Sequence, residues 1–286
     1  MDPIIRRAVP EDAPECGRIC YDAFQAIGDA HDFPNYWPSM QVTRAMCETI
    51  IKHPRWYGVV AERDGAIIGS NFMDERTVIY GIGPTSVDPQ QQNNGVGRRM
   101  MRELLDRAAT RQVPGMRLTQ TAYHNRSLCL YTTLGFQTRE PLSLMQGPAL
   151  NLAIPGYQVR QAQPDDVDAC RALSEEILGF DRGAGALRDA IDLRTATVVE
   201  HLGRVTGYST MVGLSGHSVA RTNPDLMALI AAAREFPGAG FLLPTRNYEL
   251  FSWCLANGLR LIVQWTLMTI GLYNEPSGPY LPSGMF

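Results

Sequence analysis

The sequence has 286 residues, of which 45% are apolar, with a formal net charge of −3 and a pI near 6.0. This length suits two domains, and the apolar fraction is sufficient for a buried core. A nearly neutral chain without a long Lys/Arg run is not typical of a nucleic-acid-binding protein. There is neither a membrane-length apolar stretch nor a signal peptide, so we expect a cytoplasmic protein without nucleic-acid or membrane partners.

The cysteines do not form a C-x-x-C pair and have no His-rich neighbours. We therefore expect them to be reduced core residues, and we expect no bound metal. Cys16 and Cys20 lie four residues apart on a predicted helix, which also suits a metal, but no further ligands follow them. The cysteines are Cys16, Cys20, Cys47, Cys129, Cys170 and Cys254.

The first elements are a strand over residues 4–9 and a helix that starts at Pro10 and continues to about Ala30. A loop over residues 31–39 follows, and then a helix over residues 40–52. The loop is aromatic, proline-rich and polar at once, so its side chains can contact a ligand; the alternative is that they plug the core. Its candidate substrate-binding residues are His31, Phe33, Tyr36 and Trp37.

Residues 56–63 and 66–74 alternate as a hairpin that turns at Asp64-Gly65. A strand over residues 78–87 contains Gly83-Pro84, which indicates either a bulge or an early end of the strand. The first half then continues with a strand over 116–123, a helix over 125–134 and a strand over 136–145.

The most informative stretch runs from Thr85 to Asp106, where a strand is followed by a polar loop with two glycines and an amphipathic helix from Arg98. The first N–H groups of such a helix have no backbone partners, and the helix dipole adds positive charge there. This is a favourable place for phosphate, and Gly95 and Gly97 allow close approach to the backbone.

The loop sequence Q-N-N-G-V-G resembles the Q/R-x-x-G-x-G/A signature of GCN5-related N-acetyltransferases (GNAT). The preceding V-D-P and the following basic helix are also similar to that family, whereas the Rossmann and Walker motifs are absent. The resemblance implies that acetyl-CoA is the acyl donor. It implies that the pyrophosphate is held by Gln92, Asn93, Asn94, Gly95, Val96, Gly97 and Arg98.

The predicted order β-α-α-β-β-β-α-β-α-β matches the acetyltransferase fold, which is an α/β fold built on a mixed sheet. In that family a bulge in the fourth strand splays it from the fifth, and the pantetheine arm inserts into the gap. The resemblance therefore implies that Gly83-Pro84 forms the bulge. It also implies that backbone groups around Ser86 and Val87 contact the pantetheine and the thioester carbonyl.

The second half is similar to the first at both of its ends: residues 156–171 resemble the N-terminus, and residues 251–259 resemble residues 128–136. We therefore predict two tandem acyl-CoA N-acyltransferase (GNAT) folds. The predicted divisions are a domain with an intact motif at residues 1–147, a linker at 148–155 and a degenerate domain at 156–286.

The second copy departs from the family where the cofactor would bind. No Q-x-x-G-x-G precedes the helix predicted near Asn223, and Cys254 occupies the position that matches Tyr131. We expect this domain to pack against the first and to shape its substrate pocket. The C-terminal tail from Tyr273 is rich in Pro and Gly, so we expect neither helix nor strand there, and we expect the tail to lie across the other domain.

Tyr131 lies in L-Y-T-T-L-G-F, which is similar to the family's L-Y-x-x-x-G-F, where the tyrosine acts as general acid toward the leaving sulfur. Asn125 resembles the asparagine that bonds the amide arm of the cofactor. The family spacing from that asparagine to the tyrosine is seven, but here it is six and His124 occupies the seventh position. Either residue is therefore a candidate for this contact.

Our candidate for the general base is Glu75, at the end of the third predicted strand of the first half. Alternatives are Asp74, His31, Asp32 and His124, since a carboxylate or a histidine near neutrality can accept the amine proton.

These features predict an enzyme that moves an acetyl group from acetyl-CoA to a primary amine of a small molecule by direct attack. The single active site would lie in the N-terminal domain of a monomer or homodimer, without a covalent enzyme intermediate. The alternative is a non-catalytic acyl-CoA sensor or scaffold module, against which the intact Tyr131 argues.

Overall fold

A computed structural model describes residues 2–284 of the chain. The first half has the predicted order of elements. They are β1 (Ile4–Arg7), α1 (Ala13–Asp29), α2 (Met40–Lys52), β2 (Trp56–Arg63), β3 (Ala66–Asp74), β4 (Ile79–Val87), α3 (Val96–Thr110), β5 (Gly115–Thr121), α4 (Asn125–Thr133) and β6 (Gln137–Gln146). Helix α3 begins two residues before the predicted Arg98, because Gly95 takes a left-handed conformation (φ 74°) that turns the loop directly into the helix.

The second half repeats this order, which confirms the tandem fold. Its elements are β7 (Tyr157–Gln161), α5 (Val167–Leu178), α6 (Gly183–Asp192), β8 (Thr197–His201), β9 (Arg204–Ser209), β10 (Ser218–Ala220), α7 (Asn223–Ala232), β11 (Phe241–Pro244), α8 (Tyr248–Ala256), β12 (Arg260–Gly271) and β13 (Tyr280–Leu281).

The repeat extends to individual side chains at the start of each half. In both, an arginine of the first strand pairs with an aspartate six residues later at 2.7 Å and with a glutamate of the neighbouring strand. The aspartate also accepts a backbone N–H, which closes the turn before the first helix. The residues are Arg6, Asp12 and Glu62 in the first half and Arg160, Asp166 and Glu200 in the second.

The two halves exchange strands. The larger sheet has eight strands in the order β1-β2-β3-β4-β5-β12-β6-β11, so β12 of the second half lies between β5 and β6 of the first. Strand β6 in turn lies between β11 and β12 of the second half. Each half therefore completes its sheet with the sixth strand of the other. The smaller sheet has the order β13-β10-β9-β8-β7.

The exchanged strands carry a shared core. Leu142 and Leu144 of β6 and Val263, Trp265 and Leu267 of β12 pack in one buried cluster with residues of the second half. Residues 148–155, which join β6 to β7, form no helix or strand. Their role as a boundary between domains stays a prediction.

The expectation that the tail contains no strand is wrong. Tyr280 and Leu281 form β13, which pairs antiparallel with Val219 and Ser218 of β10. The flanking prolines lack an N–H, but these two residues between them keep theirs and can extend a ladder. Beyond β13, the carbonyl of Gly284 accepts a hydrogen bond from Thr119 Oγ1 of β5 at 2.8 Å. The tail thus reaches across to the first half.

All six cysteines are free, but one of them is not a core residue as expected. Cys129, on α4, is exposed. Within residues 2–284, no helix has the length and apolar character needed to cross a membrane. The same range contains no group of three His, Cys, Asp or Glu side chains placed to hold a metal ion.

Candidate acyl-transfer site

The site lies where β4 and β5 separate. These parallel strands pair only from Ile79 to Gly81, opposite residues 115–117. Beyond that point β4 bulges at Gly83-Pro84. The register against β3 shows the bulge, because Met73 lies opposite Ile82 whereas Asn71 lies opposite Thr85. Proline cannot donate to a ladder, so the bulge forms where the sequence predicts it. A cavity of about 440 Å³ fills the space between the separated strands.

The cavity passes through the sheet. Leu118 and Tyr131 on its wall belong to the core between the sheet and α3. Tyr36 and Trp265, also on its wall, belong to the core shared with the second half. The cavity therefore has two ends, which we call the loop end, beside the start of α3, and the aromatic chamber. The chamber is lined by Phe24, Ile27, Tyr36, Trp37, Leu214 and Trp265.

The loop end is built around the open start of α3. Gly95 has no side chain to cap the helix, and the first backbone hydrogen bond runs from Arg99 N to Gly95 O at 3.1 Å. The N–H groups of the three preceding residues are thus available to an anion. Six of the seven predicted loop residues line the cavity, whereas Asn94 does not: Gln92, Asn93, Gly95, Val96, Gly97 and Arg98.

Two arginines frame this end. Arg126 of α4 reaches across to the loop, where it donates to Asn93 Oδ1 at 3.0 Å and to Gln92 Oε1 at 2.6 Å. Arg98 donates to Thr133 Oγ1 at 2.8 Å. These contacts tie the loop to α4 and place two positive charges beside the free N–H groups. Both charges and N–H groups favour a phosphate-bearing ligand.

Tyr131 is in the wall of the cavity and only 8% exposed, and its ring meets Phe136 edge-on at 6.2 Å. Burial raises the pKa of its phenol above the usual value of 10, and the neighbouring hydroxyls of Thr85 and Ser127 offset part of that rise. The phenol therefore keeps its proton at neutral pH. In this state it can donate its proton to a ligand.

Of the two candidates at the start of α4, the structure places His124 in the cavity wall and leaves Asn125 exposed outside it. His124 Nδ1 accepts the N–H of Ser127 at 3.2 Å, so the imidazole proton sits on Nε2. Burial, with a smaller effect of Arg126, lowers the pKa of His124 to about 4. His124 is thus a neutral hydrogen-bond donor and a poor general base.

Glu75 does not lie at the cavity, so the geometry does not support it as general base. Its carboxylate pairs with Arg107 Nε and Nη2 at 2.5 and 2.9 Å. Arg107 is eleven residues beyond Val96 along α3, which corresponds to roughly 16 Å along the helix axis. Asp74 is also occupied elsewhere, by Arg76 at 2.7 Å. Asp32, the remaining acidic alternative, is exposed and does not line the cavity.

The predicted acceptor loop is divided by the structure. Tyr36 and Trp37 line the aromatic chamber. His31 and Phe33 instead pack on Tyr123, with ring centroids 5.0 and 4.6 Å apart, and do not line the cavity. Tyr123 also shares a hydrogen bond of 3.0 Å with the hydroxyl of Tyr36. It therefore anchors the loop.

On strand β4, Val87 lines the cavity whereas Ser86 does not. Ser86 is 2% exposed, and its hydroxyl lies beside Cys20 of α1. Strand side chains alternate between faces, so neighbouring residues cannot both face the cleft. A contact of Ser86 with a ligand would have to use its backbone.

Sequence reasoning missed several residues of the wall. Gln120 of β5 is 5% exposed, and both polar atoms of its side chain lack a hydrogen-bond partner. The second half contributes Leu214, Ser215, Trp265 and Gly284. These residues reach the first half through the strand exchange and the tail, which no local sequence pattern indicates. The sequence predicts that the second half shapes the pocket, but it does not identify the residues that do so.

The corresponding region of the second half is closed. The start of α7 is capped by Thr222 Oγ1, and the buried carboxylate of Asp225 accepts the N–H of Thr222 at 3.0 Å. Strand β13 occupies the space between β10 and β11, which corresponds to the cleft between β4 and β5. The tail thus fills the place where the first half is open.

Comparison with known proteins gives one family match. Residues 54–138 match the family model of the acetyltransferase (GNAT) domain, which covers β2 to the start of β6. A comparison with curated proteins gives no significant match.

Solved structures align with almost the whole chain at low identity. A candidate acetyltransferase from Pyrococcus horikoshii has a TM-score of 0.72 and 19% identity, with 95% of this chain and 90% of that chain covered. A GCN5-related N-acetyltransferase from Sphaerobacter thermophilus has a TM-score of 0.61 and 16% identity, with 96% of each chain covered. A tandem GNAT protein from the clavulanic acid biosynthesis pathway has a TM-score of 0.58 and 12% identity, with 94% and 98% covered. The chain therefore carries a GNAT domain in its first half and has the tandem GNAT fold over almost all of its length.

Proposed function

We propose that this protein transfers an acetyl group from acetyl-CoA to the primary amine of a small molecule, at one site in the first half. The observation that carries the proposal is the cavity itself. It joins an uncapped, arginine-flanked helix N-terminus to a buried protonated tyrosine and then to an aromatic chamber. We retain the expectation that the protein acts in the cytoplasm as a monomer or homodimer.

The donor would bind with its phosphates at the loop end. The N–H groups of Val96, Gly97 and Arg98 point to that position, and the guanidinium groups of Arg98 and Arg126 add charge-assisted hydrogen bonds. A Cβ atom at Gly97 would lie 3.6 Å from Leu130 and 3.7 Å from Val87. The glycine therefore leaves open a part of the wall that any side chain would fill.

The pantetheine arm would run between the separated strands. Beyond Gly81, the edge of β4 that faces β5 has no β5 partner for its backbone groups, so these can pair with the amides of the arm. The unpartnered amide of Gln120 offers a further donor and acceptor in the same gap. An N–H of β4 near the bulge would stabilise negative charge on the thioester oxygen.

In the reaction, the lone pair of the amine attacks the thioester carbon and forms the C–N bond. The C–S bond then breaks, and the Tyr131 phenol gives its proton to the departing sulfur. The amine loses one proton, which returns to Tyr131 through water. The net proton count is zero, so a buried base is not required if the amine enters uncharged.

The test is release of CoA thiol in the presence of amines, for the wild type and Tyr131→Phe. We expect the variant to lower kcat by about 10²–10⁴-fold, which is typical for loss of a general acid, and to leave the Kd of acetyl-CoA unchanged. Equal turnover in both proteins would refute the role of Tyr131.

The alternative function is an acyl-CoA sensor without turnover. One observation favours it: among the described residues, no carboxylate lines the cavity to act as base. Binding of acetyl-CoA without thiol release for any amine, at any pH from 6 to 9, would support the sensor.

A further inference from the structure

The aromatic chamber is shaped by rings in edge-to-face contact. Phe24 meets Tyr36 at 6.2 Å and Trp37 at 6.0 Å, and Tyr36 meets Trp265 at 5.3 Å. These contacts fix the rings relative to one another and leave a wall that suits a flat apolar molecule. The Tyr36 hydroxyl is already bonded to Tyr123 and lies beside the Trp265 indole, whereas the buried indole N–H of Trp37 has no partner.

The charges of the cavity lie at one end only. Its charged lining residues, within the part of the chain that is described, are Arg98 and Arg126, both at the loop end. The acids that flank lining residues in sequence are not part of the cavity wall: Asp22 and Asp88 both pair with Arg18, at 2.6 and 2.9 Å, and Glu15 shares the same guanidinium. Asp29 accepts a hydrogen bond from Gln25 at 2.6 Å and is exposed.

This charge distribution disfavours a cationic acceptor. An alkyl amine has a pKa near that of lysine, about 10.4, and is protonated at neutral pH. Burying an ammonium group without a counter-charge is costly, and the charged residues of the cavity wall are both positive. An aromatic amine has its lone pair delocalised into the ring and is uncharged at neutral pH. It can enter the chamber without first losing a proton.

We infer that the acceptor is an aromatic amine whose nitrogen is uncharged at neutral pH, with its ring held among Phe24, Tyr36, Trp37 and Trp265. This inference rests on the proposed acetyl transfer and accounts for the absence of a carboxylate among the described residues of the cavity wall. The amine lone pair attacks the thioester carbon, and the C–N bond replaces the C–S bond. One N–H proton passes through water and Tyr131 to the sulfur, which gives an aryl amide and CoA thiol.

The experiment compares two isomers, 4-ethylaniline and 2-phenylethylamine, which have the same atoms but an uncharged and a cationic nitrogen at pH 7. A third amine, 2-cyclohexylethylamine, is cationic and not aromatic. We expect kcat/KM at pH 7 to be at least tenfold higher for 4-ethylaniline than for either alkyl amine. Between pH 6.5 and 8.5, kcat/KM should rise about tenfold per unit for 2-phenylethylamine relative to 4-ethylaniline.

A pair of variants tests the charge argument directly. Ile27 lies on the chamber side of α1 and is partly exposed, so a longer polar side chain can be accommodated there. Ile27→Glu should raise the kcat/KM ratio of 2-phenylethylamine to 4-ethylaniline by about tenfold or more, whereas the isosteric Ile27→Gln should not. An equal effect of both variants would contradict the electrostatic argument.

A second pair tests the ring contacts. Trp37→Leu should raise KM for 4-ethylaniline several-fold and leave the Kd of acetyl-CoA unchanged. Trp253→Leu, in α8 and outside the cavity wall, should change neither. If alkyl amines equal or exceed 4-ethylaniline in the wild type at pH 7, the inference is wrong while acetyl transfer stands. If no amine releases thiol, acetyl transfer itself is wrong.

Discussion

The two halves of this protein place the same helix at the same point of the same fold, and only one of the two helices has an open N-terminus. In the first half, α3 begins after Gly95, which caps nothing. In the second half, α7 begins after Thr222, whose hydroxyl accepts the N–H of Asp225, while the Asp225 carboxylate accepts the N–H of Thr222. A phosphate is attracted to the first arrangement. It would meet a buried carboxylate in the second.

The two halves therefore share a fold and differ in whether the polar groups at the start of this helix are already hydrogen-bonded within the protein. The Arg–Asp–Glu triad that closes the first turn is present in both halves with matching distances. The cleft between the fourth and fifth strands is open in one half and filled by β13 in the other. Tyr131 is matched by a buried Cys254. A repeated domain can thus lose a ligand site by bonding its polar groups to itself, while it keeps the role of completing its neighbour.

Separating the halves should break the comparison most severely. Residues 1–147 alone lack β12, so β5 and β6 would each lose their partner in the centre of the sheet. We expect this fragment to be unfolded or insoluble, and co-expression with residues 148–286 to restore soluble protein. Soluble yield and far-ultraviolet circular dichroism measure this. A folded fragment that binds acetyl-CoA would show that the exchange is dispensable.

The link between the tail and β6 should have the next largest effect. The Tyr280 hydroxyl donates to Glu140 Oε2 at 2.6 Å, and Glu140 is 2% exposed. Tyr280→Phe leaves that carboxylate short of a donor, so we expect a loss of about 1–3 kcal/mol in the free energy of unfolding. Urea denaturation measures it, with Tyr248→Phe at an exposed position as control. Equal stability of the two variants would contradict the link.

Opening the cap of α7 sharpens the comparison. Thr222→Ala should cost about 1 kcal/mol of stability, as typical for an N-cap, and Thr222→Ser should cost less. Neither variant should gain a second acetyl-CoA site, because Asp225 and β13 remain in place. Thermal denaturation and calorimetric stoichiometry test the two statements separately. A second binding site in Thr222→Ala would show that the cap alone closes this half.

The prediction with the smallest effect at neutral pH concerns His124, whose contribution changes only as the solution becomes acidic. The pKa of His124 is about 4 in the fold, mainly through burial, against 6.5 for a free histidine. Between pH 4 and 6.5 the unfolded chain therefore binds more protons than the folded chain. The free energy of unfolding that His124 contributes above pH 6.5 is lost as the pH falls toward 4. His124→Asn keeps the N-cap of α4 and should reduce this slope. Buried His217, whose pKa is also lowered, supplies a remaining slope of the same sign. An unchanged slope in His124→Asn would contradict this.

Local features of the first half were predictable from sequence, and long-range ones were not. Helix periodicity, Asp64-Gly65 and Gly83-Pro84 act over a few residues, so the elements and the bulge appear where expected. The alternation that marks β12 as a strand gives no information about which strands it pairs with. The strand exchange, and with it Trp265 in the cavity wall, therefore lay beyond sequence reasoning.

Glu75 illustrates the same limit at the level of a single side chain. It follows β3 as predicted, but its partner Arg107 is 32 residues away and draws the carboxylate toward the far end of α3. The two-residue strand β13 was also missed, because the proline-rich tail has no alternation of apolar and polar residues that indicates a strand. In both cases the position of the residue depends on its partner in the fold, Arg107 for Glu75 and β10 for β13. The local sequence does not identify that partner.

The central claim is that one half binds the acyl donor and the other does not. Isothermal titration of acetyl-CoA into the wild type and Gly97→Glu tests it most directly. The substitution places a carboxylate in the first turn of α3, where it interacts favourably with the helix dipole, so the melting temperature should be preserved. The same carboxylate repels the phosphates of acetyl-CoA. We predict one acetyl-CoA per chain in the wild type and at least a hundredfold weaker binding in the variant. Two molecules per chain, or unchanged affinity in Gly97→Glu, would contradict the account.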